Sequence, residues 1–243
     1  MTIGIISAMD SEHRRLVERL QDKNTSGDGS FRYVEGTLGG SYVEGTLGGN
    51  HVILTQCGIG KVSAAVGASE LIRRFSPDCI VSTGVAGGID ACLKVTDVVA
   101  SQRLVYHDVW CGDGNEYGQV QGFPASYEGC SSLLKHALSL NEAGMESRIH
   151  SGLVCTGDQF ITNRTELDTI KQRFPDGLAV DMESAAIAQT CYLYNVPFLS
   201  FRIISDTPGV EDHASQYADF WGTMAERSFL TIWTFLSTLP SNL

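Results

Sequence analysis

The chain is 243 residues long, is 43% hydrophobic and carries a formal net charge of -11. That apolar share is ordinary for a globular chain with a sizeable core. The acidic balance argues against nucleic acid or an anionic membrane as partner, although one locally opposed pocket can still hold an anionic small ligand.

In chain order, residues 2–8 form a continuous apolar run that reads as a buried strand, followed by a helix over about 11–20. Residues 22–30 are polar and contain glycine, so a loop is expected. Tyr33-Val34-Glu35-Gly36-Thr37-Leu38-Gly39-Gly40 then recurs verbatim as Tyr42-Val43-Glu44-Gly45-Thr46-Leu47-Gly48-Gly49. A single duplication is not a solenoid period. One copy reads as a strand and tight turn feeding the strand at 51–56. The other, within 33–50, reads as an insertion in a loop or hairpin, which a surface connection absorbs at small entropic cost. Residues 61–75 have amphipathic helical period. Residues 79–83 are a short strand ending in Gly84-Val85-Ala86-Gly87-Gly88. Strands follow at 97–107 and 151–156, a helix at 165–174, a strand at 178–180 leading into a helix near Glu183, and a buried strand at 198–205. One long helix is expected over 217–236. Continuous apolar strands between helices indicate an α/β chain whose central sheet is covered on both faces. No linker divides it, so residues 1–243 read as one domain.

The seven cysteines (57, 79, 92, 111, 130, 155, 191) are odd in number and never form a CxxC pair, which reads as reduced thiols. The six histidines are dispersed and do not join them at metal-ligand spacing, so no metal and no cofactor is expected. Of these histidines His107 alone stands in a notable setting, Val105-Tyr106-His107-Asp108. The first residues have no basic n-region, and no apolar stretch reaches membrane-spanning length; a cytoplasmic location is expected.

In open α/β sheets ligands bind beyond the carboxyl ends of the strands. Three carboxylates follow buried runs: Glu12, Glu183 and Asp206. Each has a plainer structural reading. Glu12 suits the first turn of a helix through its dipole, and Asp10 would serve equally. Glu183 stands beside Asp181 at a helix start. Asp206 can cap a helix or pair with Arg202. The turn Cys57-Gly58-Ile59-Gly60-Lys61 can bring backbone amides to an anion, but lacks Walker A spacing. Gly84–Gly88 is a second close-approach turn.

Taken in order, Ile3-Gly4-Ile5-Ile6-Ser7-Ala8-Met9-Asp10-Ser11-Glu12, the turn at 57–61, Thr83-Gly84-Val85-Ala86-Gly87-Gly88, Tyr106-His107-Asp108, Gly157-Asp158-Gln159-Phe160-Ile161, Val180-Asp181-Met182-Glu183 and Arg202-Ile203-Ile204-Ser205-Asp206 resemble the bacterial 5'-methylthioadenosine/S-adenosylhomocysteine nucleosidases of the purine nucleoside phosphorylase/uridine phosphorylase superfamily. The resemblance runs from residue 1 to about 236 once one copy of the duplicated nonapeptide is set aside. It implies a single nucleoside phosphorylase-like domain with a central mixed, twisted sheet flanked by helices. It implies hydrolysis of 5'-methylthioadenosine and S-adenosylhomocysteine, with adenine nucleosides as partners and a homodimer in which the neighbouring subunit completes the 5'-substituent pocket. Carried over by motif, Glu12 activates the attacking water and Asp206 protonates adenine N7. Glu183 binds the ribose hydroxyls, with Met182 packing on the sugar and Arg202 nearby. Phe160 stacks on adenine, the Ile161 backbone meets its edge, and Met9 and Ile59 wall the 5'-thio group. Val85, Ala86, Gly87, Asp181 and Ser205 belong to the same substrate site. Tyr217, ahead of Phe220, is the expected closing aromatic. The chain departs from the family at Val85, where many members carry Ser, and in a shortened 109–119 segment where Trp110 stands in for another aromatic.

The residue types suit the reaction. Adenine leaves poorly as an anion, and an Asp with an ordinary pKa of about 3.9 protonates it only where burial or proton sharing favours the acid form. A water on the opposite sugar face needs an ionised carboxylate, as in inverting glycosidases. The sister phosphorylases bind phosphate with arginines, absent here from residues 7–10 and 81–86. Phosphorolysis, hydrolysis of another adenine nucleoside such as aminodeoxyfutalosine, and a non-catalytic nucleoside sensor are the alternatives.

Overall fold

The computed structural model describes residues 1–26, 33–37, 50–145, 147–208 and 213–241. Its elements begin β1 (Thr2–Ser7), α1 (Asp10–Val17), β2 (Gln21–Ser26), β3 (Tyr33–Thr37), β4 (His51–Gln56), α2 (Lys61–Phe75), β5 (Cys79–Gly88) and β6 (Val98–Tyr106). They continue with β7 (Tyr127–Glu128), α3 (Ser131–Ser139), β8 (Ile149–Thr156), α4 (Arg164–Arg173), β9 (Gly177–Asp181), α5 (Ser184–Tyr194) and β10 (Phe198–Asp206). The chain closes with α6 (His213–Asp219), a π-helical turn (Phe220–Met224) and α7 (Ala225–Ser237).

β5 is the pivot of the mixed sheet. It runs parallel to β1 and β10 and, at Gly87 and Gly88, antiparallel to β9. β10 pairs with β6, β6 with β8, and β8 with β9, so β5, β10, β6, β8 and β9 close into a ring. β1, β4, β3 and β2 extend from that ring as a wing.

Strands buried on both faces need helices on both faces. Ile3, Ile5, Leu199 and Phe201 pack against Leu16 of α1, Leu133 of α3 and Phe235 of α7. Ile6, Ile53 and Ile80 face the other way, onto Ala64, Ala68 and Leu71 of α2 and Ile187 of α5. A third cluster joins Leu167 and Ile170 of α4 to Cys155, Ile161 and Val180, beside the ends of β8 and β9. The small residues of α2 let it lie close against the sheet, and it ends where Ser76 takes a left-handed conformation (φ 45°).

The α/β architecture follows the apolar runs, with differences at several elements. Residues 22–26, part of the stretch expected as a loop, lie in β2, because a wing-edge strand paired only to β3 needs no apolar alternation. The glycines at 84–88 continue β5 rather than end it. The single helix over 217–236 is interrupted by the π-turn, which separates α6 from α7. α3 was not foreseen, since its nine residues carry only a short apolar stripe. The first copy of the duplication contributes β3, paired antiparallel to β4, whereas residues 38–49, with the second copy, lie outside the described residues.

Phe235 stacks on Phe201 with ring centroids 4.6 Å apart, fixing α7 to β10. Phe235→Ala is expected to lower unfolding free energy by about 3–5 kcal/mol, read from the midpoint and slope of a urea titration.

Candidate active site

Chain segments far apart in sequence meet at one cavity of about 350 Å³, a volume suited to a small organic ligand. The acids that line it come from the ends of β1, β9 and β10 as those strands leave the sheet.

Glu12 lies in the first turn of α1 and is 1% exposed. Its Oε2 accepts the Ala8 and Met9 N–H groups at 3.1 and 2.9 Å, and its Oε1 accepts the Val85 N–H at 3.0 Å. Burial raises its pKa, while the Arg202 charge and these three amides pull the other way. It therefore caps the start of α1 and lines the cavity with the same side chain. Asp10 points out to solvent and pairs with Arg14 at 2.6 Å. Gly84 permits the approach of Glu12: a Cβ there would stand 2.5 Å from Glu12 Oε1 and 2.6 Å from Arg202 Nη1.

Arg202 is the buried cation of the site, 1% exposed. Its Nε lies 2.9 Å from Asp181 Oδ2 and 3.1 Å from Ser184 Oγ; its Nη2 donates to Ser82 Oγ at 2.9 Å and stands 3.8 Å from Glu183 Oε2. Arg202 thus pairs with Asp181. Asp181 borders the cavity, but its oxygens also accept the Thr156 hydroxyl at 2.6 Å and the Ser184 hydroxyl. Its carboxylate holds Arg202 and the start of α5.

Glu183 occupies the N-cap of α5. Its Oε1 accepts the Gly60 N–H at 3.0 Å. Burial pushes its pKa up to about 7, against the opposing pull of Arg202. The next amide, Lys61 N–H, donates to Asp158 at 2.8 Å. The amides of the 57–61 turn thus serve two of the protein's own carboxylates.

Asp206 ends β10, 2% exposed. The register slips between Ile204 and Asp206, so that Asp206 pairs with Gly87. Such a bulge re-aims the following side chain. The Ser205 hydroxyl donates to Asp206 Oδ1.

The apolar rim comes from Met9, Ile59, Val85, Ala86, Gly87, Ile161 and Met182. Phe160, 58% exposed, meets Tyr217 edge-on at 5.7 Å, and the Tyr217 hydroxyl donates to Met9 Sδ at 4.0 Å. Every expected site residue lines the cavity except Arg202, which lies behind it. Ala8, Gln159, Val180 and Pro208 also line it; they adjoin or stand near named residues, and position in the motif was their only signal. Phe220 is fully buried in the core. Trp110 stacks on Tyr117, away from this chain's own cavity. His107 is buried against Gly157, where a Cβ would stand 2.4 Å from its Nε2. Among the described residues no cluster of His, Cys, Asp and Glu is arranged to hold a metal ion. Among the same residues the lining holds the carboxylates of Glu12, Asp181, Glu183 and Asp206 and no Lys, Arg or His.

Residues 2–237 match the family model of the phosphorylase superfamily. The chain is 41% identical over 214 residues to the 5'-methylthioadenosine/S-adenosylhomocysteine nucleosidase of Chromohalobacter salexigens, covering 88% of this chain and 87% of that one. The nucleosidase of Colwellia psychrerythraea, solved with adenine, superposes with a TM-score of 0.89 at 35% identity, covering 100% of this chain and 97% of that one. That of Neisseria meningitidis, solved with methylthio-immucillin-A, gives 0.88 at 33% identity, covering 98% and 99%.

A Glu held near 7 keeps, when folded, a proton that the unfolded chain releases above its ordinary 4.5. Stability from this group is therefore present below 4.5 and lost as pH rises from there to about 7. Glu183→Gln is expected to flatten that part of the Tm–pH curve relative to the unaltered protein, measured by calorimetry without ligand.

Proposed function

The chain belongs to the phosphorylase superfamily, and on that premise we propose that it hydrolyses the N-glycosidic bond of 5'-methylthioadenosine and S-adenosylhomocysteine, giving adenine and the thio-substituted ribose. The observation that carries this reading is the cavity lining: carboxylates from three strand ends, an exposed aromatic face and no basic side chain among the described residues.

Asp206 donates a proton to adenine N7, so the base leaves neutral. Glu12 takes a proton from water on the opposite face of the sugar. Glu183 accepts hydrogen bonds from the ribose hydroxyls and sets its charge near the developing ribosyl cation. Arg202 holds Glu183, Asp181 anchors Arg202, and Ser205 orients Asp206. Phe160 offers its ring to adenine and the Ile161 backbone its edge contact. Met182 packs on the sugar, the Val85–Gly87 backbone borders it, and Met9, Ile59 and Tyr217 wall the 5'-thio group.

The functional unit is a homodimer in which the 109–119 segment of the neighbouring subunit completes the 5' wall. Exposed Ile59 at the cavity, Val62 and Val66 on α2, and Tyr192 and Leu193 on α5, which packs against α2, are apolar surface that supports this assembly. The setting is cytoplasmic, supported by seven cysteines that all stand as free thiols.

Incubation with methylthioadenosine in phosphate-free buffer is expected to release adenine; a strict need for phosphate would sink hydrolysis. Asp206→Asn and Glu12→Gln are each expected to lower kcat by about 10²–10⁴-fold, followed by adenine release. Sedimentation equilibrium is expected to return twice the mass of one chain.

A further inference from the structure

The purine-facing segment 159–161 belongs to a stretch between β8 and α4 that has no ladder hydrogen bonds to fix it. Asp158, just before it, ties it to neighbouring elements. The Asp158 N–H donates to Asp108 Oδ2 at 2.9 Å, and Asp158 Oδ1 accepts the Lys61 N–H at 2.8 Å. The Lys61 ammonium lies 2.8 Å from both Asp108 oxygens, 3.7 Å from Asp158 Oδ2 and 5.5 Å from the centre of the Tyr106 ring. One residue earlier, the Gly60 N–H donates to Glu183. Lys61 therefore joins three walls of the cavity: the turn bearing Ile59, the segment bearing Phe160 and Ile161, and, through its neighbour, Glu183.

This is more than a solvent-screened surface pair. The Lys61 and Asp108 side chains are only 23% and 18% exposed, and fully exposed pairs contribute little. Without the ammonium, the Asp108 and Asp158 carboxylates would be left close together with like charge. Their repulsion would act on the segment that carries the purine contacts.

We propose that Lys61 is a positioning residue that clamps the purine-facing segment to the 57–61 turn and so sets the width of the nucleoside cavity. It touches no reacting atom. The inference rests on the nucleosidase reading, and its effect falls on binding more than on the chemical step.

The test compares the unaltered enzyme with Lys61→Met, Lys61→Arg and Asp108→Asn. Methylthioadenosine turnover and calorimetric adenine binding are measured for each. Lys61→Met is expected to raise KM and the adenine Kd by about tenfold while kcat falls less than threefold, a loss of binding rather than of transition-state contact, each figure being about that size. Lys61→Arg is expected to recover most of the loss. Asp108→Asn, which removes one carboxylate at nearly constant shape and leaves the fold least disturbed, is expected to shift both constants in the same direction. Unchanged KM and adenine Kd in Asp108→Asn and in folded Lys61→Met would overturn the clamp while leaving the nucleosidase reading intact. So would a fall confined to kcat. Failure of the unaltered enzyme to release or bind adenine would instead overturn the nucleosidase reading, and the clamp with it.

Discussion

The site is organised around one buried cation. A guanidinium taken out of water costs several kcal/mol unless its donors are met, and those of Arg202 are met by Asp181, Ser184 and Ser82, with Glu183 and Glu12 near. One positive charge then faces three acids. Burial raises the pKa of both Glu183 and Glu12, Arg202 opposes the rise in each, and the charges of Asp181 and Glu12 add to it at Glu183 alone. On the proposed reaction, the ribosyl cation brings further positive charge transiently. A cavity whose carboxylates outnumber its buried cation is matched to a transition state that brings positive charge.

That electrostatic arrangement depends on backbone placement. β5 sits between β1 and β10, so the acids following β1 and β10 reach the same end of the sheet from opposite sides. The glycines of β5 keep that end open. Gly84 gives room to Glu12 and Arg202 together, and at Gly87 a Cβ would stand 2.8 Å from Pro208. The bulge before Asp206 then turns its carboxylate into the space so cleared. The antiparallel join of β5 to β9 brings Asp181 and Glu183 to the third side.

Much of this was legible from residue pattern. The apolar run of β4 and the amphipathic period of α2 appear with the bounds they were given, and the acids after β1, β9 and β10 could be singled out because a buried strand leaves its end residue nowhere else to go. What stayed hidden was contact made through space. Asp181 reads as one more acid beside Glu183, and only the approach of Thr156, Ser184 and Arg202 gives it an anchoring part. The 57–61 turn signalled anion binding, yet its anions come from residues 158 and 183. β2 was missed because a polar edge strand takes its identity from its partner. The break at 220–224 was missed because Phe220 and Trp221 continue the apolar pattern through it.

The same cation explains why water is the fitting nucleophile. A phosphate anion needs positive charge on the sugar face opposite the base, and in this reading Glu12 occupies that face. Arg202, the basic group nearest to it, is already engaged by Asp181 and approached by Glu183, and it lies behind the cavity lining. Releasing it to bind phosphate would leave Asp181 buried without its partner, a change that costs about 3–5 kcal/mol for buried pairs. The incoming anion would also meet Glu12 at close range. A neutral water meets neither penalty and can give its proton to the carboxylate that repels phosphate. On the proposed assignment, the partners of Arg202 set the choice of nucleophile as much as Glu12 itself.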